Sequence, residues 1–213
     1  MINDITTFRM MKKIILSLLI VLLTAVGAHA QNAAGAKKVL DKAASIVGRK
    51  GGAYATFSLA SPKYGNTQGT IAIKGNKFNA RTGEAIIWFN GQTQWTYMKA
   101  TDEVNVTTPT ESQQAAMNPY KFITMYKSGF NLSMTTKGNS HVVHLTAINK
   151  KRNVQEMYIT VNKKTSVPTE VKLRQGSNWT TLKITSFQAK DQADRVFVFN
   201  AKDFPNSEVI DLR

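Results

Sequence analysis

The chain has 213 residues and a formal net charge of +15, from 28 Lys and Arg against 13 Asp and Glu. It contains no cysteine, which excludes a disulfide framework, thiolate metal sites and a thiol nucleophile together. The basic excess favours nucleic acid, anionic lipid or an acidic protein as partner, or serves only solubility, and by itself does not choose between them.

The first thirty residues have the order of a secretory signal. Lys12 and Lys13 form a positive region, Ile14 to Val26 an apolar one, and Ala28-His29-Ala30 a cleavage site before Gln31. The apolar stretch is shorter than the roughly 18 residues a membrane-crossing helix needs, so removal after Ala30 is expected and not anchoring. Residues 1–9 do not look like a signal start, and Met10-Met11 directly precede the lysines, so translation is expected to begin there. Gln31 stands where a lipoprotein carries its lipidated cysteine, so the mature chain is expected to be soluble and unanchored. Residues 31–213 are expected to form a single domain, and export makes nucleic acid the weakest of the anionic partners.

From Ala36 to Lys50 apolar residues recur at spacings of three and four (Val39, Leu40, Ala43, Ile46, Val47), which predicts an amphipathic helix stopped by Gly51-Gly52. The period then falls to two, as in Ala53 to Leu59 and Thr70 to Ile73. Turn signals follow at strand-length intervals: Lys74-Gly75-Asn76, Asn90-Gly91, Lys137-Gly138-Asn139, Asn149 to Asn153, Asn162 to Lys164 and Gln175 to Ser177. Asn90-Gly91 predicts a two-residue type I′ hairpin. The intervening runs predict an antiparallel meander of about ten strands, enough to curl. Glu111 to Ala116 and Pro119 to Lys127 lose the alternation and predict two short helices parted at Asn118-Pro119. Arg195 to Phe199 predicts a last short strand before an extended tail.

Catalytic chemistry is hard to find. Asp102 and Glu103 are adjacent, so their side chains diverge and do not flank a bond. His141 and His144 lie on opposite faces of one strand, which prevents joint metal binding. No nucleophile elbow, phosphate-cradling glycine loop or H-E-x-x-H occurs. Lys150-Lys151-Arg152 and Lys163-Lys164 sit in turns without the interleaved aromatics that stack bases; they read as solvated turns, or as contacts for an anionic membrane or acidic receptor.

The informative feature is apolar excess. Ala85-Ile86-Ile87-Trp88-Phe89 is apolar on both faces of its strand, and Trp95 and Tyr97 continue one face across the hairpin. Both faces of such a strand need cover, or one of them lines a cavity for an apolar ligand. Met117, Met125, Met134 and Met157, flexible side chains, point the same way or fill an ordinary core.

Several stretches resemble the LolA family, the periplasmic carriers of outer-membrane lipoproteins, and its divergent members in Bacteroidetes-type bacteria. Phe89 to Met98 (FNGQTQWTYM) is similar to the family's D-G-K-T-x-W-x-Y hairpin, and Glu103 to Thr107 to the strand after it. Asn118-Pro119 opening the helical interruption, and Arg195 to Phe199 before Phe204-Pro205, resemble the family's later landmarks, as do the helix after the signal and the Phe57 strand. The resemblance implies a mainly β (α+β) fold: an incomplete antiparallel half-barrel with a helical lid and an N-terminal amphipathic helix.

It also implies a monomeric periplasmic chaperone that takes lipoproteins from an inner-membrane ABC transporter, shelters their acyl chains, and releases them to an outer-membrane acceptor or membrane surface. No catalysis, cofactor, metal or nucleic acid is expected. The alternative is an envelope sensor or structural lipid-binding domain of the same fold. The cavity is expected to be lined by Phe57, Ile71, Ile73, Phe78, Ile86, Trp88, Trp95, Tyr97, Phe122 and Tyr126, with Ile87 and Phe89 on the other face. Many members place a lid-closing arginine directly after the aromatic of the strand that here reads Lys77-Phe78-Asn79-Ala80-Arg81. Asn79 stands there in this chain, and Arg81 is the candidate substitute for lid control.

Overall fold

The computed structural model describes residues 32–62, 65–110 and 123–213. The expected signal segment and most of the expected helical interruption, from Glu111 to Phe122, lie outside the described residues. Helix α1 spans residues 32–47; of the predicted stripe it buries Leu40, Ala43 and Val47, with Val39 and Ile46 half-buried, and it buries Ala36 and Ala44 besides. It ends earlier than the Gly51-Gly52 stop. Gly48 N–H makes the last helical bond to Ala44 O at 2.8 Å, and Gly52, at φ +97°, closes a separate turn on Arg49 O.

Among the described residues twelve strands follow: β1 (Ala53–Ser61), β2 (Gly65–Lys74), β3 (Lys77–Thr82), β4 (Ala85–Phe89), β5 (Gln94–Met98), β6 (Glu103–Thr107), β7 (Phe130–Lys137), β8 (Ser140–Ala147), β9 (Glu156–Asn162), β10 (Pro168–Gln175), β11 (Asn178–Gln188) and β12 (Glu208–Asp211). They form one sheet in the order β12-β6-β5-β4-β3-β2-β1-β11-β10-β9-β8-β7. Two antiparallel meanders, β1 to β6 and β7 to β11, are joined by β1 pairing with β11. The sheet stays open, as the expected half-barrel does, with β12 and β7 at its edges. The meander breaks between β6 and β7, where the alternation of the sequence is lost.

Three local expectations are corrected. The β4–β5 turn is not a two-residue type I′ hairpin: only Gly91 has positive φ, and the Asn90 side chain accepts from the N–H groups of Gln92 and Thr93 at 2.9 and 2.8 Å. Asparagine's side-chain oxygen thus supplies the constraint that two left-handed residues would supply. Arg195 to Phe199 is not a strand. Asp194–Phe197 forms a 3-10 turn lying against β3 and β4, with Phe197 fully buried. The final strand comes instead from the tail, where β12 pairs in parallel with β6.

Residues paired across neighbouring antiparallel strands share a face, so the register sorts the side chains. The inner face, under α1, carries Ile71, Ile73, Phe78 and Phe89 from the first meander and Val143, Leu145, Met157 and Ile159 from the second. His141 pairs with Val161 on this inner face, whereas His144 pairs with Tyr158 on the outer one, so the two histidines are separated by the sheet as their spacing requires.

Candidate functional site

The inner face is not uniformly sealed. Beside the fully buried positions lies a strip of half-buried apolar side chains: Phe57 on β1, Ile87 on β4, and Leu182, Ile184 and Phe187 on β11. Phe57 sits opposite Gly69 in the β1–β2 register, where an added Cβ would come within 3.2 Å of the Phe57 ring and 2.1 Å of Arg81 O. The glycine thus lets the ring and the β3 backbone approach closely. Leu132, Met134 and Met125 extend the half-buried apolar surface towards β7.

Of the ten expected lining residues, Phe57, Ile71, Ile73, Phe78 and Tyr126 lie on this face or pack into its core. Phe122 lies outside the described residues. Ile86, Trp88, Trp95 and Tyr97 do not join them. Trp88 pairs with Asn79 and Trp95, and Ile86 with Arg81 and Tyr97, all on the outer face. Their neighbours Ile87 and Phe89 take the inner positions, and the Phe89 ring meets Phe78 at 5.5 Å. Because β4 is apolar on both faces, alternation separates the two sets without giving their direction; the cross-strand partner Phe78 decides it.

The outer aromatics have a cover of their own. Phe199 and Phe204, from the segment leading to β12, meet Trp88 edge-on, each at 5.5 Å, and Phe204 lies 4.7 Å from Tyr97. Trp88 is only 4% exposed as a result. Ion pairs hold the segment down: Asp194 takes Lys74 at 3.0 Å and Lys77 at 3.3 Å, and Asp191 takes Arg49 at 3.0 Å. Hydrogen bonds from Lys74 and Lys77 hold the Asp194 carboxyl below its ordinary value. The wide platform of the Trp95 hairpin therefore seats the chain's own C-terminal segment.

Arg81 is likewise on the outer face. Its Nε donates to Asn79 Oδ1 at 3.1 Å, Asn79 Nδ2 donates to Ile87 O at 3.1 Å, and its guanidinium lies 5.9 Å from the Trp88 ring. It lies on the face opposite α1, and most of the helical interruption that it is expected to hold lies outside the described residues. A different pair links the helix to the residues that follow Phe122: the Tyr126 hydroxyl donates to the Asp41 carboxylate of α1. Lys37, one helical turn earlier, also donates to Asp41 at 2.8 Å. Hydrogen bonds from Lys37 and then Tyr126 lower the Asp41 pKa. The sequence signal for this pair is faint, since Asp41 reads only as the polar side of an amphipathic helix.

The outer face of the second meander is polar and ordered. His144 stacks on Tyr158 at 4.2 Å, and His144, Tyr158 and Arg174 all donate to the Glu156 carboxylate, at 2.8, 3.0 and 3.0 Å. Burial pushes the Glu156 carboxyl up, but hydrogen bonds from Tyr158, Arg174 and His144 outweigh it, and the net shift is downward. Among the described residues no group of His, Cys, Asp and Glu is arranged to hold a metal ion, and no helix is long and apolar enough to cross a membrane.

The family model for the outer membrane lipoprotein carrier protein LolA matches residues 26–177, from the end of the expected signal segment into the β10–β11 turn. The chain belongs to the LolA family. Its fold is similar to that of an uncharacterized conserved protein from Thermus thermophilus, at 11% identity and a TM-score of 0.57, over 83% of this chain and 99% of that one. A LolA superfamily protein from Nitrosomonas europaea is similar at 13% identity and a TM-score of 0.43, over 77% of this LolA-like chain and 97% of the other. The MucA/MucB complex of Pseudomonas aeruginosa matches at 11% identity and a TM-score of 0.45, over 78% of this chain and 61% of that one. No curated protein matches the sequence. The segment after residue 177, which supplies β11, the aromatic cover and β12, lies beyond the family match.

Proposed function

We propose that this protein is a monomeric, non-catalytic carrier exported to the periplasm as residues 31–213, a single domain left after cleavage behind Ala30. It takes lipoproteins from an inner-membrane ABC transporter and delivers them to an outer-membrane acceptor or directly to the membrane. The observation that carries this reading is the half-buried apolar strip of Phe57, Ile87, Leu182, Ile184 and Phe187 beside a fully packed core. A folded domain ordinarily either covers such side chains or replaces them with polar ones. Each acyl methylene sheltered there is worth about 0.8 kcal/mol, so partial cover of one chain favours loading, while incomplete enclosure keeps release accessible. Membership of a family of lipoprotein carriers supports the same reading.

The test is native mass spectrometry of protein purified from its own periplasm, with binding of a fluorescent fatty acid as a quantitative companion. Bound lipoprotein is expected, and Ile184→Asp should weaken fatty-acid binding at least about tenfold, the scale of losing two buried methylenes. Trp95→Asp, on the outer face, should leave it within about threefold in a folded protein, less than one such methylene is worth. A protein that carries nothing apolar, or one in which the two substitutions act alike, overturns the reading.

A further inference from the structure

We infer that the turn between β8 and β9 is a docking tip for an anionic bilayer surface, with Ile148 as its apolar contact and Lys150 and Lys151 as its charges. Ile148 is 64% exposed, although it directly follows the buried Ala147 at the end of β8. The surrounding sequence is one-sided in charge. From Ser112 to Gln155 there is no Asp or Glu, while Lys121, Lys127, Lys137, Lys150, Lys151 and Arg152 all fall in that stretch. Lys127, Lys150 and Lys151 are exposed, and no salt bridge among the described residues engages them.

The tip is held in shape. Ile148 N–H donates to Gly129 O at 3.0 Å, and Lys151 N–H to Asn149 Oδ1 at 2.9 Å. Arg152 is spent internally: its guanidinium donates to Ser128 O at 3.2 Å and lies 4.7 Å from the Phe130 ring. Gly129 makes room for it, since a Cβ there would lie 1.9 Å from Arg152 Nη1. The apolar side chain is therefore presented outward by a braced turn and not by a loose loop.

A bilayer fits this tip better than a protein does. A specific protein interface needs on the order of 1,000 Å² with an apolar centre, and beyond Ile148 this turn offers Asn149, Lys150, Lys151 and Asn153, all exposed. One aliphatic side chain entering the headgroup region, flanked by lysines reaching lipid phosphates, needs no such area. The tip also adjoins Ser128 and Gly129, close in sequence to Tyr126, so docking would bring the bilayer to the rim where α1 is fastened to residues 123–127. This deepens the membrane-facing step of the proposed carrier function, but lipid binding needs no cargo, so the two readings fail separately.

Flotation of the purified mature protein with vesicles tests it. Wild type is expected to float with phosphatidylglycerol-containing vesicles and not with pure phosphatidylcholine, and to lose binding in high salt. Ile148→Asp, and Lys150→Glu with Lys151→Glu, are each expected to weaken binding at least about tenfold. Lys163→Glu with Lys164→Glu, at the opposite end of β9, should change it by no more than about threefold, because charge without an apolar contact holds weakly. Fatty-acid binding and the urea midpoint of Ile148→Asp should match wild type, which separates loss of docking from loss of fold or of cargo. Equal binding by all variants, or binding to an acidic envelope protein with none to vesicles, overturns the inference.

Discussion

The two meanders use the same strand geometry but treat their outer faces oppositely. In the second meander the inner face holds Val143, Leu145, Met157 and Ile159, essentially unexposed, while the outer face holds His144, Tyr158, Glu156 and Arg174 in a hydrogen-bonded polar array. In the first, β4 is apolar on both sides, Trp95 and Tyr97 of β5 continue its outer side, and that side is closed by Phe199 and Phe204. The β4 end of the first meander is thus a middle layer with a core on each face, and the second meander is a sheet with one wet side. A two-sided strand marks where the chain must find a second cover, and here that cover is the C-terminal segment.

The contrast can be broken at Trp88. If the outer face of β4 is core, Trp88→Ala should lower unfolding free energy by about 3 to 5 kcal/mol, read from urea denaturation. His144→Ala, the corresponding outer position of the second meander, should cost only about 1 kcal/mol. Equal costs would erase the distinction. A smaller effect is expected from the helix fastening: Tyr126→Phe removes a hydrogen bond to a carboxylate that is about half exposed, and should cost on the order of 1 kcal/mol. Amide exchange should then speed up in α1 more than in β9.

Acid sharpens the same comparison. The Glu156 pKa is lowered from 4.5 in the folded protein, so its contribution is complete above that value and is lost as pH falls through the lower folded value. Wild type should therefore lose stability in that acid range, and Glu156→Gln should lose less, when urea midpoints are compared at about pH 6 and about pH 3. The smallest effect is expected at Lys37→Ala, an exposed pair with Asp41, at about 0.3 to 0.5 kcal/mol.

Much of this architecture is legible in the sequence because its determinants are local. Hairpin turns at Gly75, Gly138 and Gly176, all at positive φ, and the apolar stripe of α1 need only neighbouring residues. What is not legible depends on distant ones. Whether Trp88 or Phe89 points inward is set by Phe78 across the β3–β4 pair and by Phe199 far along the chain. Arg195 to Phe199 reads as a short strand, yet a 3-10 turn carries Phe197 into the core and the chain beyond it sets Phe199 on Trp88. The parallel pairing of β12 leaves no periodic trace in a four-residue strand. Among candidate site residues, the β1 to β3 positions are readable because one face of those strands is plainly polar, and the β4 and β5 positions are not.

The order of the strands also dictates an order of assembly. Both meanders can form from sequential hairpins, but joining them requires β1 to find β11, as in the Thr56–Thr185 contact across 129 residues, and β12 reaches back 105 residues in the Ser207–Asp102 contact. Such distant pairings make folding slow relative to helical domains. A chain emerging from its N-terminus exposes Trp88 and Tyr97 until nearly its last residues are available. The interval between emergence of β5 and arrival of Phe204 is when this chain is most exposed to aggregation and proteolysis, and a chain cut short before Phe204 would remain in that state.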